Sequence, residues 1–80
     1  MNSKRSLVDF AATLTTLAET GTAIASMVYL ALGSDMDRYN AVIRLMRTSD
    51  AAVVTSETLT ITYRGRALAT KIQEIVDQAA

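Results

Sequence analysis

Leu59-Thr60-Ile61-Thr62 alternates apolar and hydroxyl side chains residue by residue, and beyond it the apolar positions become Leu68, Ile72, Ile75, Val76 and Ala79. Side chains of an extended chain face opposite sides in turn, whereas those of a helix return to one side every three to four residues. The change of period therefore predicts a strand passing directly into a helix. Val53 and Val54, both β-branched, supply an upstream partner strand, with Thr55-Ser56-Glu57-Thr58 as the tip of the hairpin. Thr62 suits the helix N-cap, because its hydroxyl can accept from the unpaired amides of the first turn.

Upstream, the helical period recurs. From Ser6 onward Leu7, Phe10, Ala11, Leu14, Leu17 and Ala18 share one face, while Asp9, Thr13, Thr16 and Glu19 fall on others. Gly21 suits the residue just past the end of that helix. The stripe fits either a core or a seam between two copies. Thr22 can cap a second helix over 23–32, which is apolar nearly all round apart from Ser26 and so predicts a central element, with Met27, Val28, Leu30 and Leu32 in the core. Gly33-Ser34-Asp35 reads as a tight turn in which Ser34 or Asp35 caps the next helix. That third helix, 36–48, has an apolar side of Met36, Tyr39, Val42, Ile43, Leu45 and Met46. Its other side carries Asp37, Asn40, Ala41, Arg44, Arg47 and Thr48.

The step at Thr62, Gly65, Arg66, Leu68 and Ala69 resembles the end of winged-helix domains, where a β-hairpin wing runs through a threonine-x-x-glycine-arginine step into a closing helix. The likeness spans about a third of the chain, counted from Val53. It implies a mainly α fold with a small β-hairpin, a winged helix-turn-helix ordered helix, helix, helix, hairpin, helix, forming one domain over 1–80. It implies further that helix 36–48 is the recognition helix, that 53–62 is the wing, and that Gly65 lets the closing helix approach another helix closely.

Arginine can donate bidentately to guanine and asparagine can pair with adenine in the major groove, so Arg44 and Asn40 are the base-contact candidates. Arg47, Arg64, Arg66 and Lys71 are candidates for phosphate, where contacts position a protein without reading sequence. Thr48 and the tip residues Thr55, Ser56 and Thr58 complete the expected DNA surface. The expected partners are double-stranded DNA and a second copy of the chain, joined through Leu7, Phe10 and Leu14 with Ile72 and Ile75.

Composition narrows this picture and also sets a rival against it. Eighty residues, half of them hydrophobic, suffice for one small domain whose core is modest. Eight basic and eight acidic residues leave no net charge, whereas DNA-binding domains commonly carry an excess of cations. Asp35 and Asp37 stand at the start of helix 36–48, and Glu57 at the hairpin tip; all three would repel phosphate. Tyr29, four residues before the turn glycine, is larger than close helix packing there usually takes. The rival expectation is a protein-interaction adaptor or inhibitor that uses the same fold without DNA.

The chain has neither histidine nor cysteine, which removes histidine general-base chemistry, cysteine nucleophiles, disulfides and the common zinc sites. Gly33 and Gly65 stand alone rather than in a phosphate-cradling loop. A protein without enzymatic activity or cofactor is expected. Lys4-Arg5 ahead of an apolar region ending Ala23-Ile24-Ala25-Ser26 imitates a secretory signal, but Asp9, Glu19 and several threonines interrupt it. No apolar run approaches the ~20 residues a bilayer requires. The expectation is a cytoplasmic protein with no membrane span.

Overall fold

The computed structural model describes residues 3–79. In chain order the elements are α1 (Ser3–Thr20), β1 (Thr22–Ile24), α2 (Ala25–Ala31), α3 (Met36–Thr48), β2 (Ala52–Val54), β3 (Thr58–Ile61) and α4 (Tyr63–Ala79). The hairpin of β2 and β3 forms where the alternation predicts it, pairing Ala52 with Ile61, Val53 with Thr60 and Val54 with Leu59. The sheet has three antiparallel strands in the order β1-β3-β2.

The strand β1 is not visible in the apolar pattern, which reads 23–32 as helix. Its origin is the edge of β3. With β2 alone as neighbour, β3 would leave one row of amides and carbonyls unpaired, and such groups need partners when they lie against a core. Gly21 ends α1 with φ +83° and donates its amide to Leu17 O at 2.7 Å. The chain then turns back along β3, with Thr22 opposite Thr60, Ala23 opposite Leu59 and Ile24 opposite Thr58. Ile61 N donates to Gly21 O and Ala25 N to Glu57 O, extending the ladder beyond both ends of β1. Thr22 is thus a strand residue, with its hydroxyl donating to Leu59 O at 3.1 Å, and not the cap of α2. Ile24 takes the N-cap position without a side-chain cap bond.

With three residues given to β1, α2 keeps only seven, and only one side of it reaches the core. Val28 and Leu32 are buried as expected, but Met27 and Leu30 are 60% and 58% exposed, so the second helix lies at the surface and is not central. The centre is built from α1, α3 and β3: Leu14, Leu17, Val42, Met46 and Leu59 are the largest wholly buried side chains. Phe10 and Leu14 belong to this core, which withdraws both from the expected contact between copies. Leu7 and Ile75 remain exposed, and Ile72 is half-buried. Met36, expected on the apolar side of α3, is also exposed.

α4 begins as the sequence predicts. Thr62 Oγ1 accepts from Gly65 N at 3.0 Å and donates to Asp50 O at 2.6 Å, so one hydroxyl caps α4 and fixes the chain entering β2. Gly65 is a point of close approach, but to backbone at the head of β2 and not to another helix. A Cβ there would run into the Ala51 carbonyl oxygen and come within 2.7 Å of Ile61 Cγ1. Among the described residues no helix is long and apolar enough to cross a membrane.

Candidate nucleic-acid interface

Four separate contacts determine where α3 sits. Gly33 and Ser34 both adopt left-handed conformations, φ +77° and +54°, which reverse the chain between α2 and α3. Asp35 then caps α3, its Oδ1 accepting from Asp37 N at 2.9 Å and Arg38 N at 3.2 Å. A carboxylate there also complements the positive end of the helix dipole. Tyr29 packs edge-on against Tyr39 of α3, with ring centroids 5.8 Å apart and planes at 83°. The large residue before the turn is therefore accommodated by an aromatic pair of favoured geometry.

The fourth contact crosses from α1. Arg38 donates from Nε to Asp9 Oδ2 at 3.0 Å and from Nη2 to Asp9 Oδ1 at 2.9 Å, a bidentate pair whose carboxylate side chain is only 9% exposed. Asp9 thus lies at the edge of the buried side of α1, not on an outer face as its polarity suggests. The paired guanidinium holds its carboxyl below the usual carboxylate range; burial opposes this, and the charges of Arg38 and Arg5 assist it. Arg38 is pushed the opposite way by the same hydrogen bonds. The partner lies 29 residues away, so no local pattern announces the pair.

What remains on the outward side of α3 is Asn40, Arg44, Arg47 and Thr48, all exposed. Successive positions at +4, +3 and +1 keep them within one side of a helix of 3.6 residues per turn. Asp37 shares that side at its first turn, and Arg47 stands in the last turn, where a cation suits the dipole. Of the three arginines between residues 38 and 47, two therefore face solvent and one is engaged by Asp9.

The hairpin tip is organised by Thr55. Its hydroxyl oxygen accepts from Glu57 N at 3.2 Å and Thr58 N at 2.9 Å, and lies 3.0 Å from Thr58 Oγ1. Thr55 and Thr58 hydroxyls are thus part of the turn itself, while Ser56 and Glu57 are exposed beside them. The Ala25 to Glu57 backbone bond ties the tip to the first residue of α2.

The remaining cations divide. Arg64 lies 3.9 Å from Asp50, with both side chains largely exposed; such a pair contributes little to stability and leaves the guanidinium available. Lys71 is exposed. Arg66 is elsewhere: its Nη1 donates to Ala18 O at 3.2 Å, near the C-terminal end of α1. A side chain in that position complements carbonyls that the helix itself leaves unpaired, so Arg66 ties α4 to α1 through one guanidinium nitrogen while its side chain stays exposed. The structure brings Asn40, Arg44, Arg47 and Thr48 together on one helix face, groups Thr55, Ser56 and Thr58 at the tip, and bonds Arg66 to the end of α1. No protein-family model matches the chain, and no curated protein or solved structure matches it either.

Proposed function

We propose that this chain is a small winged helix-turn-helix DNA-binding protein, a transcriptional regulator or DNA-organising factor, with α3 as the recognition helix and the β2-β3 hairpin as the wing. The observation that carries the reading is the outward side of α3, where Asn40, Arg44 and Arg47 stand exposed after a tight turn from α2. A helix of 13 residues is about 20 Å long and enters a major groove about 12 Å wide. Two further features support the assignment: the order helix, strand, helix, helix, strand, strand, helix, and a sheet in which β1 and β2 flank β3. Arg44 and Asn40 contact base edges in this reading. Arg47, with Arg64 and Lys71, contacts phosphate.

The test is fluorescence anisotropy of a labelled mixed-sequence duplex titrated with the protein at low and near-physiological salt. Binding through phosphate displaces counterions, so affinity is expected to fall steeply as salt rises. No binding at low salt removes the DNA reading.

A second reading, a protein-interaction adaptor on the same framework, is favoured by one observation: the engaged cations. Arg38 is held by Asp9 and Arg66 by a carbonyl, and the chain has no net charge. A partner recovered in stoichiometric amount after nuclease treatment, together with absent duplex affinity, selects this second reading.

A further inference from the structure

Between Glu19 and Asp35 the chain carries no charged residue, and the outer side of α2 is apolar. Ile24, Met27, Leu30 and Ala31 recur at intervals that keep them within one side of a helix. All four are exposed, Ile24, Met27 and Leu30 by 59%, 60% and 58%. Scattered exposed apolar residues are ordinary; these adjoin a hollow. Thr13, Thr16, Leu17, Val28 and Ala31 are among the residues lining a cavity of about 140 Å³ between α1 and α2, near the volume that admits a benzene ring. Thr13 Oγ1 donates to Asp9 O at 2.8 Å and Thr16 Oγ1 to Ala12 O at 3.1 Å, so neither hydroxyl proton is left for an occupant. The hollow suits one large apolar side chain, the kind of anchor that dominates the energetics of interfaces.

Charge selects the occupant, because acids stand at both ends of α2. At its start Glu57, whose carbonyl accepts from Ala25 N, lines a shallow recess with Ile24 and Ser26. At its end the turn leads directly to Asp35 and Asp37. Arg38, which follows them, is taken up by Asp9. A second copy of the chain would set this patch against itself under two-fold symmetry, bringing acid to acid, and like charges placed opposite one another exclude a partner. Phosphate is repelled in the same way. We propose that this surface docks an amphipathic helical segment of another protein whose apolar side is flanked by Lys or Arg. The segment lies along Ile24, Met27 and Leu30, places one large apolar residue in the hollow, and sets its cations opposite Glu57 and Asp37. Recognition is then of the helix-in-groove kind, with apolar anchors at helical spacing. It does not depend on DNA binding by α3.

Fluorescence anisotropy of a labelled peptide titrated with the full chain, without DNA, tests the proposal separately from the DNA reading. The probe is a synthetic helical peptide with leucine at helical spacing on one side and lysine elsewhere; its counterpart carries glutamate in place of lysine. The lysine peptide is expected to bind with a dissociation constant on the order of micromolar, and the glutamate peptide at least roughly tenfold more weakly. Met27→Asp with Leu30→Asp, both at exposed positions, is expected to weaken the lysine peptide at least roughly tenfold with unchanged circular dichroism. Ala31→Leu, which fills the hollow, is expected to weaken it without lowering the melting temperature. Asp37→Lys with Glu57→Lys is expected to reverse the preference between the two peptides. Absent binding, equal binding of both peptides, or binding indifferent to these substitutions overturns the proposal. So does sedimentation equilibrium showing a wild-type dimer that the two aspartates dissociate, which would assign the surface to a second copy.

Discussion

Arg38 on α3 grips Asp9 on α1 with two hydrogen bonds, of 3.0 Å and 2.9 Å, across the edge of the core. The pair does two things at once: it fixes the first turn of α3 against the rest of the domain, and it takes one arginine out of the exposed charge. Its pH dependence follows from the direction of the Asp9 shift. A carboxyl whose folded pKa is depressed contributes stability that is present above its unfolded pKa and is lost as pH falls through the folded value. The loss therefore begins near the ordinary value of 3.8 and completes below it. Asp9→Asn removes the charge, so the melting-temperature gap between wild type and variant is expected to be full at neutral pH and to close below about pH 3.8. A gap independent of pH would show that the carboxylate charge contributes nothing.

Gly65→Ala is expected to destabilise the protein by about 2 to 4 kcal/mol, more than the loss of any surface bond. The added carbon meets the Ala51 backbone, which cannot rotate away as a side chain would, and Ile61 behind it. Thr62→Ala at the adjoining cap is expected to cost about 1 kcal/mol. Urea unfolding of the two variants measures both, and a Gly65→Ala variant as stable as wild type would contradict the close approach.

Three arginine variants separate reading, anchoring and structure. If α3 enters the major groove, Arg44→Ala weakens binding to a preferred site by about 1 to 3 kcal/mol and relaxes its sequence preference. Arg47→Ala weakens all sequences alike and lowers the salt slope by about one. Arg66→Ala is expected to lower the melting temperature while leaving the salt slope unchanged, since its guanidinium serves Ala18 O. Anisotropy titrations at several salt concentrations, set beside thermal melts, distinguish the three; a reduced slope for the Arg66 variant would mean that this residue contacts phosphate as well.

The Tyr29 and Tyr39 rings couple α2 to α3. A double-mutant cycle with Tyr29→Leu and Tyr39→Leu is expected to give a coupling energy of about 0.5 to 1.5 kcal/mol. Additive losses would mean that each ring acts only through its own burial.

Wherever a feature depends on near neighbours in the chain, it is legible in the order of residues. Alternation over 59–62 predicts β3, the hydroxyl of Thr62 predicts the start of α4, Asp35 the start of α3, and Gly21 the end of α1, because periodicity and capping are decided within a few residues. The exposed side of α3, with Asn40, Arg44 and Arg47, follows from the same helical period. Tertiary structure alone decides the rest. Thr22–Ile24 is a strand because β3 has an unpaired edge 37 residues away, a demand that outweighs the helical pattern of a short apolar run. Asp9 is buried because Arg38 meets it there, and polarity by itself places a carboxylate outside. Met27, Leu30, Ile75 and Val76 are apolar yet exposed, because an 80-residue body has too little interior to receive every apolar side chain its helices present.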